Sequence, residues 1–162
     1  MRLMIGLLLW PGLLVALTAE ECSTAQGAHE KLLESSFEVE RTFRMTVNDD
    51  LKKREVSLLS YSAGELETEV LEDEVHSKIL VFDTEDEDFV LELPFACERL
   101  VEPAPGRYEL TSEDGLEVAE FELDVEAGAL RPVAWRLDTT ARFLFKKLVM
   151  AGRVEYSGFE WK

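Results

Sequence analysis

Residues Phe37 to Val47 alternate without a break: Phe37, Val39, Arg41, Phe43, Met45 and Val47 fall on one face, and Glu38, Glu40, Thr42, Arg44 and Thr46 on the other. A period of two puts the first set on one side of a strand, so the segment must lie in a sheet with one apolar and one wet face. Asn48, Asp49 and Asp50 supply the turn that ends it. Arg41 interrupts the apolar set, and a guanidinium there is costly unless it is hydrogen-bonded and paired. It can snorkel to an edge, meet a carboxylate, or wait for the polar head of a ligand.

The same period recurs along the chain. Arg54 to Ser62 predicts a strand with Val56 and Leu58 on one side and Leu59 and Tyr61 on the other, of which Leu58 is assigned to the core face. Glu65 to Leu71 places Leu66, Thr68 and Val70 inward and a row of glutamates outward, a pattern that discourages edge pairing. Lys78 to Phe95 reads as a central hairpin: its first arm, Ile79 to Phe82, is apolar on both sides and so must be covered on both faces. Phe95 to Pro105 reads as irregular. The Asp114-Gly115 pair is the strongest hairpin signal, and a bulge near Ala119 and Glu120 keeps Leu116, Val118, Phe121, Leu123 and Val125 facing inward together. Strands through Val133, Trp135 and Leu137, over Ala141 to Met150 and over Arg153 to Lys162 complete a set of about nine. Before them, Ser23 to Ser35 suits a short helix capped by Ser23 or Thr24, with Ala25, Ala28, Leu32 and Leu33 as its apolar stripe. The expected fold is mainly β with one N-terminal helix: a strongly curved antiparallel sheet or half-open barrel carrying the helix on its concave face.

Met1 to Ala19 has the layout of a secretory signal peptide: Arg2, an apolar run from Leu3 to Leu17, then Thr18 and Ala19 before Glu20. That run is short for a membrane span, and the expectation is cleavage after Ala19, with an uncleaved anchor as the alternative. Residues 20–162 then form a single β-rich domain, exported to the periplasm or secreted. An even pair of cysteines in an exported chain predicts a Cys22 to Cys97 disulfide; two free thiols are the alternative.

Charge excludes one class of partner. The formal net charge is -17, which leaves no electrostatic route to nucleic-acid phosphates. The excess is uneven, because the last 32 residues hold 7 basic and 3 acidic side chains. Such a segment can pair with acidic strands beside it, or make a peripheral contact with a lipid headgroup or acidic partner.

Enzyme chemistry has few footholds. His29 and His76 sit in no metal-ligand spacing, and the chain has neither a G-x-S-x-G elbow nor a phosphate loop. A Cys97 and His76 nucleophile pair competes with the disulfide for the same cysteine. The acidic turn Asp83 to Asp88 lacks the glycine of a calcium loop and reads as a solvated turn. No enzyme activity, cofactor or metal is expected, and a monomer is. What remains is apolar surface: Phe37, Phe43, Met45, Leu58, Phe89, Leu91, Phe121 and Trp135, with Arg41 among them, are the candidate ligand-binding residues of the concave face. The rival expectation is a fully packed β-domain that acts as an interaction or structural accessory.

The order of elements, a helix ending in KLLESSF, the strand FEVERTFRMTV, hairpins, then LEVAEFELDVEAGALRPVAWRL, resembles the outer-membrane lipoprotein carrier family (LolA/LolB-like). The resemblance implies a half-open β-barrel with a helical lid that binds the acyl chains of lipids or acylated proteins. It also implies that Arg41, inside the concave face, partners a polar head or lid group.

Overall fold

The computed structural model describes residues 17–62, 64–76, 91 and 93–162. Most of the expected central hairpin, including Phe89, lies outside the described residues, as does most of the expected signal peptide. Helix α1 spans Ala19–Glu34. It begins earlier than the sequence suggested because Thr18 and Glu21 form a capping box: the Thr18 hydroxyl accepts the Glu21 N–H at 3.2 Å, and the Glu21 carboxylate accepts the Thr18 N–H at 2.8 Å. Its buried face is Cys22, Ala25, Ala28, His29 and Leu32, while Leu33 of the expected stripe is half-buried.

Eight strands follow: β1 Ser36–Val47, β2 Asp50–Ser62, β3 Glu65–Val75, β4 Leu100–Ala104, β5 Arg107–Thr111, β6 Glu117–Asp124, β7 Ala129–Phe143 and β8 Lys146–Trp161. All pairs are antiparallel, and the sheet runs β3-β2-β1-β8-β7-β6-β5-β4 without closing. Chain ends meet in its middle, where β8 lies beside β1, so the strands on either side are simple meanders.

One core serves nearly the whole sheet. Leu32, Ala25 and Ala28 of the helix cluster with Leu59 of β2, Val39 of β1, Val154 of β8, Trp135 of β7, Phe121 of β6, Leu110 of β5 and Leu100 of β4. In a flat sheet β2 and β4, six strands apart, would be separated by roughly 29 Å, far more than the width of a helix. The sheet must therefore curl about α1, which occupies its concave side. Cys22 and Cys97 are joined by a disulfide, their Cα atoms 5.7 Å apart, tying the first turn of α1 to a single turn of 3-10 helix, Cys97–Arg99, just before β4.

Three boundaries differ from the sequence expectation. β2 starts at Asp50 rather than Arg54, because the inward positions of its first half are Lys53 and Glu55, which no apolar alternation could announce. The stretch expected to be irregular contains β4, whose Pro103 is tolerated because the strand is an edge. Most consequentially, the strands read as Ala141 to Met150 and Arg153 to Lys162 are parts of one hairpin, β7–β8, that turns at Leu144 and Phe145 and runs straight through Gly152. The bulge expected near Ala119 and Glu120 falls on the partner strand instead: between the pairs Glu120–Ala134 and Phe121–Pro132 the extra residue is Val133 of β7, while β6 keeps one register against β5, so that Ala119 and Phe121 face inward and Leu116 and Val125 are exposed.

Candidate functional site

The inward rungs of β1, β8 and β7 build the floor of a cavity of about 820 Å³. Phe43 pairs with Val154 and Val154 with Trp135; Met45 pairs with Gly152 and Gly152 with Leu137; Val47 pairs with Met150 and Met150 with Thr139. Phe43, Met45, Trp135, Leu137 and Met150 from these rungs, with Leu93 from outside the sheet, line the hollow. Gly152 has no side chain at the centre of the middle rung, and the Trp135 indole lies over it: a Cβ there would stand 3.1 Å from Cζ3. The indole is oriented from its other end, where Nε1 donates to the Glu117 carboxylate at 3.2 Å.

The mouth is polar. Arg99, Ser112, Glu113 and Asp114 stand there, and Asp114 accepts hydrogen bonds from the Ser112 hydroxyl at 2.6 Å and the Leu116 N–H at 3.0 Å. Those two bonds hold the Asp114 carboxyl below the usual carboxylate range. The charged lining groups are Arg99, Glu113, Asp114 and Glu117, the last engaged by the Trp135 indole, and an otherwise largely apolar hollow of this size can take one amphiphile.

Beside the cavity, on the β2 side of the same face, lies a buried ion network. Arg41 donates through Nη2 to Glu55 at 2.9 Å and through Nε to the Ser57 hydroxyl at 3.1 Å; Lys53 meets the other Glu55 oxygen at 3.0 Å. Of the three fates open to Arg41, pairing with a carboxylate is the one realised. Among the described residues no group of three or more His, Cys, Asp or Glu is placed to hold a metal ion.

The candidate residues divide by location. Phe43, Met45 and Trp135 line the cavity. Phe37 instead plugs the other end of the concave face, its ring centroid 5.0 Å from Tyr61 and 4.9 Å from Phe159. Phe121 packs against α1, its ring 5.7 Å from and edge-on to His29. Leu91 is half-buried against the core. Leu58 must be reassigned: it pairs with Glu40 on the opposite face of the sheet, and Leu59, opposite Val39, is the inward residue. Leu137, Met150 and Leu93 were missed; Leu137 shares the parity of Trp135 along β7, and a continuous reading of β8 through Gly152 would have shown Met150.

His29 is buried between Phe95 and Phe121, and its Nε2 has no hydrogen-bond partner among the described residues. Burial holds its pKa below the ordinary 6.5, with Glu30 pulling weakly the other way. The unfolded chain then takes up a proton that the folded chain refuses. The stability linked to His29 is whole above about pH 6.5 and falls as the pH drops from there toward the lower folded value. His29→Leu is expected to remove this share: the fall in denaturant midpoint between about pH 7 and about pH 5.5 should be smaller in the variant than in the parent.

No protein-family model matches the chain, and no curated protein matches it. No helix among the described residues is long and apolar enough to cross a membrane.

Proposed function

We propose that this is an exported, non-enzymatic lipid-binding protein of the carrier type, which holds the acyl chain of a lipid or acylated protein in the concave cavity and works in the periplasm. The observation that carries this reading is the 820 Å³ chamber floored by Phe43, Met45, Leu137 and Met150 in the concave face of an open sheet. A packed β-sandwich or barrel of this size fills that space with side chains. The likeness in element order to the lipoprotein carriers supports the same reading.

Native mass spectrometry of the periplasmically expressed protein, followed by extraction of bound material, is the direct test. Co-purifying phospholipid or acylated peptide is the expected result; a bare protein that also fails to bind a fluorescent fatty acid would sink the proposal. The same spectrum reports cleavage after Ala19, which would remove the Thr18 cap and leave α1 held at its start through Cys22. Phe43 borders the chamber but is only 3% exposed, so Phe43→Ala separates the two readings: an incompletely filled interior should lose less than the roughly 3–5 kcal/mol of a phenylalanine lost from a packed core. A cost in that full range, measured by urea unfolding and with no lipid bound, would favour the packed accessory domain.

A further inference from the structure

The β7–β8 hairpin outruns the sheet that carries it. β6 last pairs with β7 at Leu137 and β1 last pairs with β8 at Met150, yet β7 and β8 go on pairing with each other to Phe143 and Lys146. Residues 139–143 of β7 and 146–148 of β8 thus extend beyond their last hydrogen-bonded neighbours, Leu116 and Asn48, among the described residues, roughly 10 to 17 Å at the strand rise.

The tip is chemically unlike the body. Leu144 is 82% exposed and Phe145 fully exposed. Leu144 also sits at φ 57°, where a turn needed only for chain reversal would take glycine or asparagine. Around these two stand Arg142, Lys146 and Lys147, which make no ion pair among the described residues. The other four cations of the basic segment are all engaged: Arg131 with Glu122, Arg136 with Glu109 and Glu120, Arg153 with Asp138, and Lys162 with Glu38 and Glu160. Sheet pairing therefore accounts for only part of that segment's positive charge, and the remainder is gathered at the tip.

We infer that the β7–β8 tip docks the protein on an anionic bilayer, with Leu144 and Phe145 entering the interface and Arg142, Lys146 and Lys147 meeting the headgroup phosphates. An apolar pair ringed by cations is what an interfacial anchor needs. Two protruding side chains are far too little surface for a stable protein interface, which takes about 800 Å² from each partner. The acidic body does not forbid the contact. Among the described residues Asp49 and Asp50 of the β1–β2 turn, Glu113 and Asp114 of the β5–β6 turn and Glu72, Asp73 and Glu74 of β3 are carboxylates toward this end; Asn48 of the β1–β2 turn is hydrogen-bonded to Val149, so Lys147, Lys146 and the apolar pair stand roughly 7 Å or more beyond it, about one screening length of 8 Å. Thr139 and Met150, at the root of the hairpin, line the cavity, so docking by the tip brings the chamber's mouth to the membrane. The inference rests on different residues from the carrier proposal and can fail separately.

Co-sedimentation of the purified protein with vesicles of phosphatidylcholine, alone or with phosphatidylglycerol, tests it. Binding to the anionic vesicles alone, weakening as salt rises, is expected. Replacing Arg142, Lys146 and Lys147 together by glutamine should weaken it about a hundredfold, at roughly fivefold for each cation. L144S with F145S should weaken it about tenfold or more, with an unchanged circular dichroism spectrum and unchanged fatty-acid binding in the cavity. Acyl-brominated lipid should quench the added indole of F145W. Vesicle binding that is absent, indifferent to lipid charge, or unaltered in both variants would overturn the inference, as would a protein partner that binds the tip while vesicles do not.

Discussion

Replacing Glu55 by glutamine is expected to destabilise the fold by about 3–5 kcal/mol, a fall of roughly 10 °C in the unfolding midpoint for a domain of this size. The carboxylate is only 2% exposed and stands between two cations: Arg41 at 2.9 Å, itself 1% exposed, and Lys53 at 3.0 Å. These groups are on neighbouring strands, Arg41 opposite Ser57 and Met45 opposite Lys53, so the sheet register itself brings them together. Neutralising Glu55 takes away a carboxylate that a guanidinium and an ammonium share in a place from which water is largely excluded. The cost is that of weakening the compensation of buried charges, not the worth of the ion pair. A triple replacement, Arg41→Met, Lys53→Met and Glu55→Leu, is therefore expected to be far less damaging than Glu55→Gln alone, since it removes the charges as well as the partner. Urea unfolding of the parent and both variants decides the matter. A Glu55→Gln variant within about 1 kcal/mol of the parent would mean that water reaches the network and that it contributes little to the fold.

The strands that could be read from the sequence are those with one wet face. Phe37 to Val47 and Glu65 to Leu71 both became strands; the first alternates in burial throughout, the second only as far as Glu69, since Val70 and Leu71 are both exposed on the edge strand. Where another force sets the residue, the pattern breaks. Lys53 and Glu55 are inward because they pair with each other and with Arg41, so the start of β2 carried no apolar signal. Gly152 suggested a break in the chain, but it is there to make room for the Trp135 indole; the true turn was masked by Leu144 and Phe145, whose apolar character belongs to their surroundings and not to a core.

Within the site, Phe43, Met45 and Trp135 followed from parity along single strands. Leu58 and Leu59 are adjacent and both apolar, so β2 alone could not say which faces in; the pairing of Val39 with Leu59 decides it. The cavity as a whole was out of reach of the sequence. It depends on which residues of β1, β7 and β8 share a rung, and β8 meets β1 from more than a hundred residues away.

Removing the Cys22–Cys97 disulfide is expected to cost about 4 kcal/mol on the chain-entropy account, because it closes a long loop, with a sequence separation of 75. The loss should not fall evenly. Helix α1 has 16 residues, about the length at which an isolated helix is marginal in water, so its order depends on docking. The helix has two kinds of tether. Near its end Ala28 and Leu32 are buried in the core and the Tyr61 hydroxyl donates to the Leu33 carbonyl at 2.9 Å; near its start the bridge through Cys22 is the one covalent link to the 3-10 turn before β4. A Cys22→Ser, Cys97→Ser variant keeps the first kind of tether and loses the second. Its amides near Cys22 should therefore exchange with deuterium faster than those near Leu32, while β1 and β8, paired along most of their lengths in the middle of the sheet, lose protection only by the global amount. Uniform loss along α1, β1 and β8 would mean that the bridge acts on the unfolded chain alone, as the simplest entropy argument has it. Loss concentrated at the start of the helix would mean that the disulfide also fixes where α1 sits over the concave face, and hence how that face is covered.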